Sequence, residues 1–149
     1  MQRDTTIRER TSLYADATAI VESDFASELS LETVARRVAS SRRQLQRVYA
    51  EIGHTTFREH LTDVRMQRAS ALLSESSLSV RDVANRVGYR QPAQFAKAFR
   101  RAHGLAPSLY RTRAKASRRF ARVGERSPGA DASVSERVSP AFAFTAQAA

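Results

Sequence analysis

From Ile7 to Arg113 the apolar residues recur at helical spacing and almost never alternate with period two, which predicts an all-α chain. Leu13, Ala17, Ile20 and Val21 form the stripe of a first helix. Ser30 is placed as the N-cap of a short helix bearing Val34, Ala35 and Val38, with a tight turn at Ala39-Ser40 after it. Ser41 to Gln44 then has the form of a capping box, in which a serine hydroxyl and a glutamine amide satisfy amide groups left free at a helix start. The helix it opens carries Leu45, Val48, Tyr49 and Ile52, and Gly53 is placed to end it. A longer pattern runs from about Thr56 to Leu73 through Phe57, Leu61, Val64, Ala69 and Leu72, a rod of about 27 Å at 1.5 Å per residue.

The first pattern then returns. Ser79, Val80, Val83, Ala84, Arg86 and Val87 repeat Ser30, Leu31, Val34, Ala35, Arg37 and Val38 at an offset of 49. Phe95 and Phe99 repeat Leu45 and Tyr49 at an offset of 50, so the second turn, through Gly88-Tyr89, is one residue longer. Pro92 suits the first turn of its helix, where an amide hydrogen has no intrahelical partner. Gly104 closes that helix, and Pro107 opens a short last one through Tyr110. A short helix, a tight turn and a second helix with a polar outer face make a helix-turn-helix unit. Two such units on a long central helix could set both second helices into successive major grooves of one duplex, about 34 Å apart. A plain bundle built from a duplicated helical hairpin is the structural alternative.

Charge favours the first reading. The 149 residues carry 25 Lys+Arg against 15 Asp+Glu, a net charge of +10, which points to a polyanionic partner. The excess is concentrated: residues 28–112 hold 15 basic and 7 acidic groups, and residues 113–126 hold 6 and 1. Residues 1–10 read as a flexible N-terminus, residues 11–113 as one folded domain, and residues 114–149 as a basic and then Ser/Ala/Pro-rich disordered tail. With no cysteine there is no disulfide framework, thiol nucleophile or Cys-ligated metal site. His54, His60 and His103 share no metal-ligand spacing and read as surface or helix-end residues. No phosphate loop or nucleophile elbow is present, so no enzyme activity and no cofactor are expected. No signal-peptide core or membrane span is visible, and the expected compartment is the cytoplasm, at the nucleoid.

Three groups of motifs carry a family resemblance. They are Ser79-Val-Arg-Asp-Val-Ala-Asn-Arg-Val-Gly-Tyr89, Phe95-Ala-Lys-Ala-Phe-Arg-Arg101 with Gly104-Leu-Ala-Pro-Ser-Leu-Tyr-Arg111, and, in the first half, Leu31-Glu-Thr-Val-Ala35, Ser41 to Tyr49 and Arg65-Met-Gln-Arg-Ala69. Together these resemble the DNA-binding domain of the AraC/XylS family of bacterial transcription regulators. The resemblance implies two helix-turn-helix subdomains, homeodomain-like, joined by a long central helix. It also implies regulation of transcription, usually activation through RNA polymerase. The chain departs from the family at three points. Gly53 comes one residue early with His54 in the glycine's place, His60 stands for a tyrosine, and Ala93 after Pro92 stands for a serine.

The apolar stripe of each second helix fixes its outward face. In the first unit that face holds Arg43, Gln46 and Arg47, types that grip guanine and adenine edges with paired hydrogen bonds. The family's base-reading positions fall on the same three residues. The corresponding second-unit positions are Ala93, Ala96 and Lys97, with Gln94 beside them, a poorer set of hydrogen-bonding groups. The first unit is therefore expected to supply most base discrimination. Ser41, Arg42, Arg90, Gln91, Arg100 and Arg101 are placed for phosphate or flanking contacts, with the run Arg113, Lys115, Arg118, Arg119 and Arg122 as a phosphate-binding or solvated segment. Arg65, Arg68 and Asp63 on the central helix fit a structural ion pair or a polymerase contact. The expected partner is double-stranded DNA, bound by a monomer that already holds two readers. A non-specific architectural nucleic-acid binder and a helical protein-interaction module are the competing functions.

Overall fold

The computed structural model describes residues 2–124, with the side chains of 6–122. Among them are seven helices and no strand: α1 (Gln2–Asp24), α2 (Leu31–Arg37), α3 (Arg42–Glu51), α4 (Phe57–Glu75), α5 (Val80–Arg86), α6 (Pro92–His103) and α7 (Pro107–Gly124). The helix-turn-helix units are α2–α3 and α5–α6, joined by α4.

The two units are built by the same local chemistry. Ser30 and Ser79 both cap their helices, each hydroxyl accepting the amide three residues on, from Thr33 and Asp82. Both turns close with the same bonds: the Ser40 amide donates to the Ala35 carbonyl, and the Tyr89 amide to that of Ala84, each at 2.9 Å. The residue that swings the chain round has positive φ in both, 50° at Ala39 and 88° at Gly88. At Gly88 glycine is required twice over, since a Cβ there would also lie 2.9 Å from the Ala26 carbonyl oxygen. At Ala39 the chain carries the cost of a left-handed alanine instead.

Packing follows the pattern of the sequence. Ala17, Val34, Ala35, Leu45 and Tyr49 form the first unit's core. Met66, Ala69, Leu73, Val83, Ala84, Val87, Phe95 and Phe99 form the second. Val21, Leu61 and Val64 pack between them, so α4 gives its first half to one unit and its second half to the other.

The structure departs from the sequence expectations at both ends and at two caps. The domain boundary expected at residue 11 lies within α1, which begins at Gln2. The boundary expected after residue 113 lies within α7, because the alanines, lysine and arginines of 113–122 are good helix formers that carry the helix far past Tyr110. The rest of the expected tail, 125–149, lies outside the described residues. Gly53 does not end α3 by a left-handed turn: Ile52 is its C-cap, and His54 takes φ 50°. Gly53 has a different reason, for a Cβ there would stand 2.7 Å from the Tyr14 ring. The capping box at Ser41 is half formed. Ser41 accepts from the Gln44 amide, but the Gln44 side chain takes the Ser40 hydroxyl rather than the Ser41 amide. The reciprocal box stands at Thr56 and Glu59.

Candidate nucleic-acid interface

Each second helix buries a narrow stripe, Leu45, Val48 and Tyr49 in α3 and Phe95 and Phe99 in α6. The remaining faces are therefore outward. Arg42, Arg43, Gln46 and Arg47 are all exposed, as are Gln91, Ala93, Gln94, Lys97, Arg100 and Arg101, while Ala96 is half-buried. Ser41 is exposed too, but its hydroxyl is engaged as the N-cap of α3.

The expected residues fall into adjoining grooves. Ser41, Arg43 and Arg47 line one of about 330 Å³ together with Thr6, Glu9 and Arg10 of α1. That wall arises because α1 runs along α3 as far as its reading end. Arg10 pairs with Glu51 at 2.7 Å, and Glu51 in turn takes Arg47 at 3.6 Å. On the other side of α3, Gln46 shares a groove of about 290 Å³ with Arg58, in the first turn of α4. Arg58 also lines a groove of about 710 Å³ with Gln94, Lys97 and Arg101 of α6 and with Glu59 and Asp63 of α4. Ala96, Lys97, Arg100 and Arg101 line a further one on the outer side of α6. The exposed faces of α3 and α6 thus border grooves that share Thr56 and Arg58, at the start of α4.

Several charges are already committed. Arg90, expected at the flank of the second reader, pairs with Glu28 of the first unit at 2.5 Å, both side chains being largely exposed. Asp24 is held by Arg37 at 2.5 Å, and that guanidinium keeps its carboxyl below the ordinary carboxylate range. Glu59 accepts from the Thr56 amide and the hydroxyls of Thr56 and Thr55, which lower its pKa in the same way and hold it ionised.

The structural ion pair expected of Arg65, Arg68 and Asp63 is not formed among the described residues. Arg65 makes no ion pair among the described residues. Its Nε donates to the Phe25 carbonyl at 2.8 Å and its Nη2 to that of Ser27 at 2.9 Å, while the guanidinium lies 5.6 Å from the centre of the Tyr89 ring. It is a structural clamp on the carbonyls that follow α1. Arg111 serves the second unit similarly, donating from Nη2 to the Leu78 carbonyl ahead of α5. His60 is more embedded than a surface residue, while His103 stands at a helix end as expected, the last residue of α6. His60 Nδ1 lies 3.1 Å from the Tyr49 hydroxyl, and the His103 ring sits 4.4 Å from that of Phe99.

Sequence reasoning passed over Arg58, Glu9, Arg10 and Glu51. No spacing rule points to Arg58, Glu9 or Arg10, which matter only through helices distant in sequence; Glu51 could have been found from its i,i+4 spacing to Arg47.

Comparison with known proteins agrees with this fold. Residues 34–113 match the family described as "Helix-turn-helix domain". The Msm operon regulatory protein of Streptococcus mutans is 30% identical over 92 residues, which are 62% of this chain and 33% of that protein. The chain therefore spans about a third of that relative's length. Among solved structures, the DNA-binding domain of AdpA, a global transcriptional factor, in complex with a target DNA superposes with a TM-score of 0.68 at 31% identity. That match covers 71% of this chain and 96% of that one. A transcriptional regulator of AraC type from Chromobacterium violaceum shares the fold, with a TM-score of 0.67 at 24% identity over 70% of this chain and 93% of its own. No helix among the described residues is long and apolar enough to cross a membrane.

Proposed function

The chain belongs to the AraC-type helix-turn-helix family, and on that footing we propose that it is a sequence-specific double-stranded DNA-binding transcription regulator that sets α3 and α6 into successive major grooves. The carrying observation is the pair of second helices, built by the same turn chemistry, whose exposed faces border grooves that share Thr56 and Arg58 at the start of α4. Arg43, Gln46 and Arg47 read bases in the first unit. In the second, Gln94 and Lys97 supply polar contacts while Ala93 and Ala96 offer apolar contact to thymine methyls. Ser41, Arg42, Gln91, Arg100 and Arg101 bind phosphate, and Arg90 joins them once it leaves Glu28. One chain carries both readers and binds as a monomer. It acts in the cytoplasm, at the nucleoid, activating transcription through RNA polymerase.

The test is selection from a randomised duplex pool at about 0.15 M salt, where non-specific attraction is already screened, with an Arg43→Ala, Arg47→Ala variant alongside. The expected result is an asymmetric motif spanning about two helical turns, with one half degraded in the variant. Equal enrichment of random duplex by both proteins would overturn the proposal in favour of a non-specific basic binder. With about eight phosphates neutralised, log K should fall against log salt with a slope near −7, and a slope shallower than about −2 would exclude so extended an interface.

A further inference from the structure

Between the two reading helices stands one arginine with nothing to hold it. Arg58 is the second residue of α4, exposed and without an ion-pair partner among the described residues. Its neighbour Glu59 is occupied by Thr55 and Thr56. Nothing local explains a cation there, since the first turn of a helix carries the positive end of the macrodipole and disfavours it. Arg47 lies 3.6 Å from Glu51 and Arg90 pairs with Glu28, whereas Arg42, Arg43, Arg100 and Arg101 are, like Arg58, without an ion-pair partner among the described residues. Arg58, with its neighbour Thr56, borders both readers, sharing one groove with Gln46 and another with Gln94 and Lys97, and it is the one cation among the described residues that does so.

B-form DNA fixes what such a position meets. Two successive major grooves on one face of a duplex are separated by a single minor groove about 6 Å wide, floored by the adenine N3 and thymine O2 acceptors. The groove beside Arg58 also holds the carboxylates Glu59 and Asp63, which a phosphate at Arg58 would meet, while Lys97 and Arg101 lie on its α6 wall. A long, flat guanidinium is suited to reach past the backbone into that floor, and narrow A·T-rich minor grooves attract arginine most strongly. We propose that Arg58 is a third DNA-contacting group, which enters the minor groove between the two half-sites and makes binding depend on the composition of a spacer that neither reading helix touches.

The proposal rests on the two-groove reading above, and its test separates the two. Once a site has been selected, both half-sites are kept and only the central spacer is exchanged between A·T and G·C pairs. Binding is measured for the natural chain, Arg58→Ala and Arg58→Lys. The natural chain should prefer the A·T spacer by about five- to tenfold, at the low end of the range for losing one arginine contact. Arg58→Ala should bind both spacers as the natural chain binds the G·C one. Arg58→Lys should keep part of the affinity but little of the preference, because it keeps the charge and loses the flat guanidinium. An equal loss on both spacers would make Arg58 a phosphate contact and overturn the minor-groove assignment. No loss at all would remove it from the interface. If the natural chain selects no site, the two-groove reading itself fails, and this inference with it. The substituted side chain is exposed, and urea midpoints of the variants check that the fold is intact.

Discussion

Replacing Arg65 by alanine tests how the two helix-turn-helix units are held together. The guanidinium donates to two carbonyls of the connection between α1 and α2, at 2.8 and 2.9 Å, and rests against Tyr89 in the turn of the second unit. Gly88 leaves the room for it: a Cβ there would stand 3.0 Å from Arg65 Nη2. Hydrogen bonds to a charged group contribute about 1.5–3 kcal/mol each, and a cation over an aromatic face about 0.5–1 kcal/mol. The side chain is only half-buried, so solvent takes back part of each, and contributions from one side chain do not add fully. A net loss of about 2–4 kcal/mol follows. Against a domain stability of about 5–15 kcal/mol that is a large share. With a urea slope of about 1.5 kcal/mol per molar, the midpoint should fall by about 1.3–2.7 M. Arg65→Lys should recover less than half of this, because an ammonium cannot present the same flat fork to two carbonyls. A shift below about 0.3 M for Arg65→Ala, or a lysine as good as the arginine, would refute the clamp.

Gly53→Ala should cost about 1–2 kcal/mol, because the added methyl meets the Tyr14 ring at 2.7 Å and that ring is packed edge-on against Tyr49. The check is a double-mutant cycle: on a Tyr14→Ala background the same substitution should cost much less. The fold should also lose stability in mild acid through His60. Burial lowers its pKa below the ordinary 6.5, against the opposing pull of Glu22 and Asp63, so folding favours the neutral ring. The contribution is whole above about pH 6.5 and is lost as the pH falls through the lowered folded value, at a slope of at most about 1.4 kcal/mol per pH unit. Urea midpoints at pH 7.5, 6.5 and 5.5 should show this decline in the natural chain and not in His60→Gln; parallel declines would place the effect elsewhere. Asp24 and Glu59, whose pKa values lie below the ordinary range, weaken the fold only at lower pH.

The order of helices, the doubled unit and its caps were legible because each rests on a short-range rule. Ser30, Ser79, Pro92 and Gly104 do in the structure what their residue types dictate locally. The longer second turn followed from the shift between an offset of 49 and one of 50. What escaped depended on tertiary support. Residues 2–10 have Ile7 as their one large aliphatic side chain, so they show no stripe, and Arg10 reaches Glu51 of α3 across 41 positions. The capping box at Thr56 and Glu59 was written in the sequence as Thr-Phe-Arg-Glu, hidden because the apolar pattern was taken to begin at Thr56 itself. His103 ends α6 as expected, but His60 read as a surface or helix-end residue because a lone histidine gives no sign of the aromatic ring it will meet. The reading faces were legible for a simple reason: once Leu45, Val48, Tyr49, Phe95 and Phe99 are inside, the remaining positions must face out. Arg58 was not, since no periodicity tells which side chain stands between two helices almost fifty residues apart.

The two units share a plan but differ in what stands beside their reading ends. Beside Arg43 the long α1 supplies a wall of Thr6, Glu9 and Arg10, and the chain Arg10, Glu51, Arg47 braces one reading arginine from the side. Ordering such a long side chain on binding costs about 0.5–1.5 kcal/mol, and part of that cost is already met in the folded state. Beside Ala93 and Gln94 the corresponding support is the pair Arg90–Glu28, whose side chains are 84% and 79% exposed. Exposed pairs of that kind contribute little and exchange readily. α7 does not fill the gap. Tyr110 packs on Phe99, one residue before Arg100 and well past the reading end of α6. The difference in the residue types proposed to read bases is therefore matched by a difference in bracing, the pairs beside the first reader being less exposed than the one beside the second. Ala93→Arg alone should for that reason add affinity for the selected duplex, measured by titration, without making the second unit the equal of the first.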